Sequence, residues 1–137
     1  NWPLIGGWMK ALNCIFLDRK NARQGMKDMK NAISKVEDGY SYVIFPEGSR
    51  TEDGEVGEFK KGSFKLAKDS KVRILPLTIC GTYEVQSKKS LKVKGNKNIK
   101  VIVDKPIDLT NLPIQEQKNI HKIVNDIIRE NLKKYKM

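Results

Sequence analysis

Hydrophobic positions along the chain change their period several times, and each change marks an element. Ala22, Met26, Met29, Ile33 and Val36 recur at spacings of 4, 3, 4 and 3, which puts them on one face of a helix. Lys27, Lys30 and Lys35 take the other side, and Asp38-Gly39 closes the helix. Tyr42-Val43-Ile44-Phe45 follows as an unbroken run of β-branched and aromatic residues, which predicts a buried strand. Pro46 lacks a backbone donor and holds Phe45 extended, so the strand ends there. Upstream, Asn13-Cys14-Ile15-Phe16-Leu17 reads as a short strand, with Pro3 and Gly6-Gly7 interrupting any earlier helix. Strand, helix and strand in this order predict a parallel pair with a right-handed crossover. Arg19 and the stretch Glu47 to Arg50 would then leave the sheet at the same edge.

The second part of the chain is punctuated differently. Phe59 to Ala67 predicts a short helix, and Val72 to Gly81 a strand. Pro76 inside that strand calls for an edge position or a bulge, because a central strand would miss the lost donor. Leu91–Lys94 and Ile99–Val103 alternate around Gly95-Asn96 and predict a hairpin. Thr110 or Asn111 can cap a last helix with Pro113 in its first turn, and Ile120, Ile123, Val124, Ile127, Ile128 and Leu132 give it a wide apolar face. The expected fold is therefore α/β: a mixed, partly parallel sheet with helices packed on its faces, in a single domain over residues 1–137.

Composition refines this picture in two ways. Residues 1–58 carry 8 Lys/Arg against 9 Asp/Glu and residues 59–137 carry 19 against 7, so the net charge of +11 lies wholly in the second part. The densest run, Lys88 to Lys100, has no acid, and it suits an anionic membrane surface, nucleic acid or an acidic substrate; the plainer reading is a solvated hairpin. Trp2 and Trp8 fit either a membrane interface or the core, and no apolar run approaches the ~20 residues of a membrane span. Cys14 and Cys80 lie in apolar segments without metal-ligand spacing and read as reduced core cysteines; no metal site is expected.

Three short motifs occur in order: Ile15-Phe16-Leu17-Asp18-Arg19, then Phe45-Pro46-Glu47-Gly48-Ser49-Arg50-Thr51, then Ile74-Leu75-Pro76-Leu77. Together, from about Pro3 to Gly81, they resemble the glycerolipid acyltransferase family, and most closely its members that act on 1-acyl-glycerol-3-phosphate. Phe59-Lys60-Lys61-Gly62 is also similar to a segment often seen between the last two motifs. The resemblance implies a glycerol-3-phosphate acyltransferase-like fold and transfer of a fatty acyl group from acyl-CoA or acyl-carrier protein to the free hydroxyl of lysophosphatidate, giving phosphatidate. It further implies an anionic membrane surface as a partner, location at the cytoplasmic face of the membrane, and no cofactor beyond the thioester co-substrate. Nucleic acid is the rival partner; it leaves the three ordered motifs unexplained and finds no aromatics interleaved with the lysines.

In that family a His-x4-Asp motif upstream of the Asp-Arg motif supplies the general base. This chain has no histidine before residue 121, so the resemblance implies that the catalytic dyad lies outside it and that the chain alone is inactive. His121-Lys122-Ile123-Val124-Asn125-Asp126 matches the motif literally, but positions five apart on a helix diverge by about 140° and cannot meet. The resemblance assigns Asp18 and Arg19 to the acceptor-phosphate motif, Glu47, Gly48, Ser49 and Arg50 to acceptor binding, and Pro76 to the acyl-donor side. Each has a plainer reading: ion pairs for Arg19 and Arg50, bonding of backbone amides for Glu47, and a structural role for Pro76. Lys60 and Lys61 either add positive potential beside the phosphate or form solvated surface. Ser49 is no hydrolase nucleophile, since Gly-x-Ser-x-Gly is absent.

Overall fold

The computed structural model describes residues 5–15, 21–51, 53–86, 90, 92–95 and 98–135. The chain divides into two compact units, residues 1–42 and 43–137. Asp18 and Arg19 lie outside the described residues, as do Trp2 and part of the lysine-rich run.

In the first unit, helix α1 spans Ile5–Ala11 and α2 spans Ala22–Glu37. The Gly6-Gly7 pair does not break α1 as expected; glycine lowers helix propensity by about 1 kcal/mol per residue but forbids nothing. The chain leaves α1 through Leu12 and Asn13, whose amides donate to the carbonyls of Trp8 and Lys10 at 2.9 and 3.0 Å. Trp8 is 74% exposed and Cys14 is exposed, so neither joins a core as one reading had it. Helix α2 matches its periodicity. Asn21 accepts from the Gln24 amide at 3.1 Å as N-cap, and the amides of Asp38 and Gly39 close the helix on the carbonyls of Ser34 and Val36, each at 3.0 Å.

The second unit is built around α5, Ile114–Tyr135, the longest helix described. Its buried residues Ile120, Val124 and Ile128 meet Phe59, Phe64 and Leu109, with Val56, Ala67, Ile74, Ile107, Leu112, Ile123 and Leu132 packed around them. Phe59 and Phe64 stack at 6.3 Å across the start of a short helical stretch, a 3-10 turn Lys61–Phe64 running into α3, Lys65–Ser70. The last helix starts at Ile114, directly after Pro113; Thr110 and Asn111 instead belong to a separate 3-10 turn, Leu109–Asn111, capped by Asp108, which accepts from the Thr110 amide and hydroxyl at 2.9 and 2.6 Å.

The sheet is a two-stranded antiparallel pair, β1 at Leu77–Cys80 and β2 at Lys100–Val103, in the register Leu77↔Val103 to Cys80↔Lys100. Short helix α4, Thr82–Val85, follows β1. Pro76 interrupts the ladder as its missing donor requires: beyond it only an isolated bridge, Ile74↔Ile107, continues the pairing. Among the described residues 92–94 join no ladder, while Leu91 and Asn96 of the expected hairpin lie outside them. Ile99–Val103 instead brings β2 to β1, and Thr78 and Cys80 turn inward to α5. Cys80 is thus a buried free thiol.

The run Tyr42–Phe45 is not buried as expected: it joins no ladder among the described residues, and Val43 and Phe45 are 75% and 71% exposed. β-Branching favours extended backbone, but only hydrogen bonds to a neighbour make a strand. No parallel pair occurs among the described residues, and Phe16 and Leu17 of the expected partner lie outside them.

Ile120 is fully buried, whereas Ile114 on the same helix is 69% exposed. Ile120→Ala is expected to lower unfolding free energy by about 2–5 kcal/mol and Ile114→Ala by no more than about 0.5 kcal/mol, measured by urea denaturation. Equal effects would disprove the placement of the α5 core face.

Candidate functional site

The turn after Phe45 is made by Pro46, Glu47 and Gly48. The Gly48 amide donates to the Phe45 carbonyl at 3.1 Å, and Gly48 adopts φ +72°, a conformation that costs a side-chain-bearing residue roughly 1 kcal/mol or more. Residues 46–60 then form a compact loop whose ends are tied together. The Lys60 amide donates to the Pro46 carbonyl at 3.0 Å, and the Gly57 amide to Glu47 Oε2 at 3.1 Å. Glu47 therefore does bond a backbone amide, the plainer of its two readings; it braces the loop from within.

Two further elements hold this loop. From α5, Asn125 Nδ2 donates to the Gly57 carbonyl at 2.7 Å and Arg129 Nη2 to the Val56 carbonyl at 3.3 Å. From α4 and the residue after it, the Tyr83 ring lies on Gly54, where a Cβ would stand 2.5 Å from the ring, and Gln86 Oε1 accepts from Arg50 Nη1 at 3.4 Å. Within the loop, Asp53 Oδ1 accepts from the Thr51 hydroxyl at 2.7 Å and the Glu55 amide at 3.0 Å, so its carboxylate shapes the turn.

A cavity of about 320 Å³ lies inside the loop, against Glu47, Ser49, Arg50, Thr51, Asp53 and Glu55. Arg50 is the cation of that wall and faces three carboxylates. The carboxylates of that wall disfavour a phosphate except where Arg50 offsets them. The structure brings Glu47, Gly48, Ser49 and Arg50 together on one turn. Pro76 is buried beside β1, its carbonyl accepting from the Asp104 amide at 3.1 Å, and does not line this cavity. Sequence reasoning missed Asn125, Arg129, Tyr83 and Gln86. Asn125 left a signal, a polar side chain beside Val124 within the apolar stripe, and Gln86 left none.

His121 makes no bond with Asp126. Its Nδ1 is buried without a hydrogen-bond partner among the described residues. Burial holds the imidazole below its ordinary pKa, helped by Lys61, Lys122 and Lys68. A group so surrounded by cations resists taking up a proton, which is the wrong tendency for a base.

This loop lies in a chain that matches the family model named Acyltransferase over residues 1–80, and the chain belongs to that family. It is 34% identical over 105 residues to a chloroplastic 1-acyl-sn-glycerol-3-phosphate acyltransferase of Arabidopsis thaliana, spanning 77% of this chain and 30% of that protein. It is 36% identical over 129 residues to a probable 1-acyl-sn-glycerol-3-phosphate acyltransferase of Mycoplasma pneumoniae, spanning 89% of this chain and 47% of the relative. The crystal structure of the 1-acyl-sn-glycerophosphate acyltransferase PlsC of Thermotoga maritima superposes with a TM-score of 0.81 at 26% identity, covering 96% of this chain and 51% of that one. The chain thus spans about half or less of the proteins it matches.

Asn125→Ala removes the side-chain donor to the Gly57 carbonyl, and a loss of about 0.5–1.5 kcal/mol is expected, together with faster hydrogen exchange at the Gly57 amide. Unchanged exchange there would show that α5 does not brace the loop. His121 adds a pH dependence. Its folded-state pKa is lowered, so the unfolded chain takes up the proton first, and stability falls as pH drops from about 7 through 6.5 and below. Denaturation series from pH 7 to 5 should show that slope in the parent and a flatter one in His121→Gln; identical slopes would refute it.

Proposed function

We propose that this chain is part of an acyltransferase that moves a fatty acyl group from a thioester donor, acyl-CoA or acyl-carrier protein, to the free hydroxyl of lysophosphatidate. The observation that carries this reading is the braced turn Glu47-Gly48-Ser49-Arg50, which presents a guanidinium and a hydroxyl from a rigid loop in a chain of this family. Arg50 grips the acceptor phosphate through charge-assisted hydrogen bonds, with Arg19 as the second cation. Glu47 and Gly48 hold the turn that aims Arg50, and Asp18 and Pro76 contribute to substrate binding. Binding on a fixed frame turns attack by the acceptor hydroxyl on the thioester into an oriented step, and the departing thiolate takes up the proton the hydroxyl loses. We assign the proton transfer to no residue of this chain. Within such an enzyme residues 1–137 form one domain, with Tyr42–Phe45 as a strand of a mixed, partly parallel sheet; the likeness to the Thermotoga enzyme supports this.

The acceptor is a lipid, and the excess positive charge of residues 59–137 favours peripheral contact with an anionic surface at the cytoplasmic face of the membrane. No helix among the described residues is long and apolar enough to cross a membrane.

The test is thiol release from acyl-CoA by the protein carrying this chain, with lysophosphatidate supplied in neutral or anionic vesicles. Lysophosphatidate-dependent release is expected, faster on anionic vesicles, with kcat/KM lowered about 10–100-fold by Arg50→Ala. No dependence on lysophosphatidate would sink the acceptor assignment, and equal rates on both vesicle types would sink the electrostatic contact.

A further inference from the structure

Lys60 and Lys61 are adjacent but part company. Lys61 is close enough to His121 to hold down its pKa. Lys60 runs the other way, to the turn that carries Arg50. Its backbone is fixed on both sides: the amide donates to the Pro46 carbonyl at 3.0 Å, and the carbonyl accepts from the Ser63 amide at 2.9 Å. The preceding residue, Phe59, is buried in the core. From that anchored position the side chain lies over Gly48. A Cβ on Gly48 would stand 2.8 Å from Nζ, 3.2 Å from Cε and 3.5 Å from Cδ of Lys60. Gly48 thus serves twice, once for its positive φ and once for the space its missing side chain leaves to the ammonium.

No carboxylate among the described residues pairs with that ammonium. The loop's carboxylates Glu47, Asp53 and Glu55 face the cavity, and the Glu47 carboxylate is engaged by the Gly57 amide. A strongly hydrated cation held over Gly48, two positions along the chain from Arg50, gives this turn a second positive group.

We propose that Lys60 is a phosphate-binding residue of the acceptor site, which sets a preference for a phosphate monoester headgroup over an uncharged one. The inference rests on the headgroup reading above and deepens it. Lys60 supplies a point charge from above Gly48 while Arg50 supplies the fork. A monoester dianion matches the two cations, whereas an uncharged glycerol headgroup leaves them unanswered.

The test follows the Gly48 amide of this chain by NMR during titration with glycerol 3-phosphate, inorganic phosphate or glycerol, in the parent, Lys60→Met, Lys60→Arg and Arg50→Ala. The backbone bonds of residue 60 survive both Lys60 substitutions, so thermal stability is expected to stay the same in those two variants. Glycerol 3-phosphate is expected to bind the parent, to bind Lys60→Met about tenfold more weakly, and to recover most of its affinity in Lys60→Arg. Glycerol is expected not to bind. Tighter binding of glycerol 3-phosphate than of inorganic phosphate, both weakened in Lys60→Met, supports a lipid headgroup as the ligand; equal binding of the two supports a site for phosphate itself. Parent-like affinity in Lys60→Met together with weakened binding in Arg50→Ala overturns the role of Lys60 alone. Failure of glycerol 3-phosphate to bind even the parent overturns the headgroup reading and this inference with it.

Discussion

The second unit depends on how residue 57 is held. Gly57 donates its amide to Glu47 and accepts at its carbonyl from Asn125, so one glycine ties the Glu47–Arg50 turn to α5. Asn125 is only 8% exposed, so the donor amide is held in place by the core and the Gly57 carbonyl is met from a fixed point. The packing of Ile120, Val124 and Ile128 therefore does more than build a core. It fixes the rotation of α5 about its axis, and with it the point at which Asn125 meets the loop.

Charge is sorted by the two sides of that loop. Carboxylates bond inward, to amides and to a hydroxyl, and so act as substitutes for regular secondary structure across a stretch that has none. The cations have other partners. Arg50 lines the cavity and donates to Gln86, and Lys60 lies over Gly48. A loop with acids of its own can thus still carry usable cations, because Glu47 and Asp53 are committed to backbone amides. Net charge alone would not have revealed this, since the stretch 47–58 is acidic.

Legibility in the sequence followed the physics. Helices α2 and α5 were readable because a period of 3.6 repeated over four or more turns leaves an unambiguous face, and the break at Pro76 because a missing N–H acts locally. Strand pairing was less readable. The alternation of Ile99–Val103 shows a strand but carries no information on its partner, and a short Gly-Asn turn favoured Leu91–Lys94 over the more distant β1. Tyr42–Phe45 shows the same limit, for an apolar run specifies extended backbone without specifying a neighbour. At the site, the motif residues Glu47 to Arg50 were legible together, while their supports were not. Asn125, Gln86 and Tyr83 act through contacts 36 to 68 residues away in the case of the first two, and such contacts have no local pattern.

The same distinction separates the two His/Asp readings of the chain. His-x4-Asp is a statement about spacing, and spacing has chemical meaning only on a given backbone. On α5 it places His121 among Lys61, Lys68 and Lys122, where burial and like charge disfavour protonation. The residue of that segment that serves the loop is Asn125, which the literal motif treats as a spacer. A side chain able to donate a hydrogen bond, held on the buried face of a rigid helix, has more influence on the turn at Glu47 than a titratable one beside it that finds no partner.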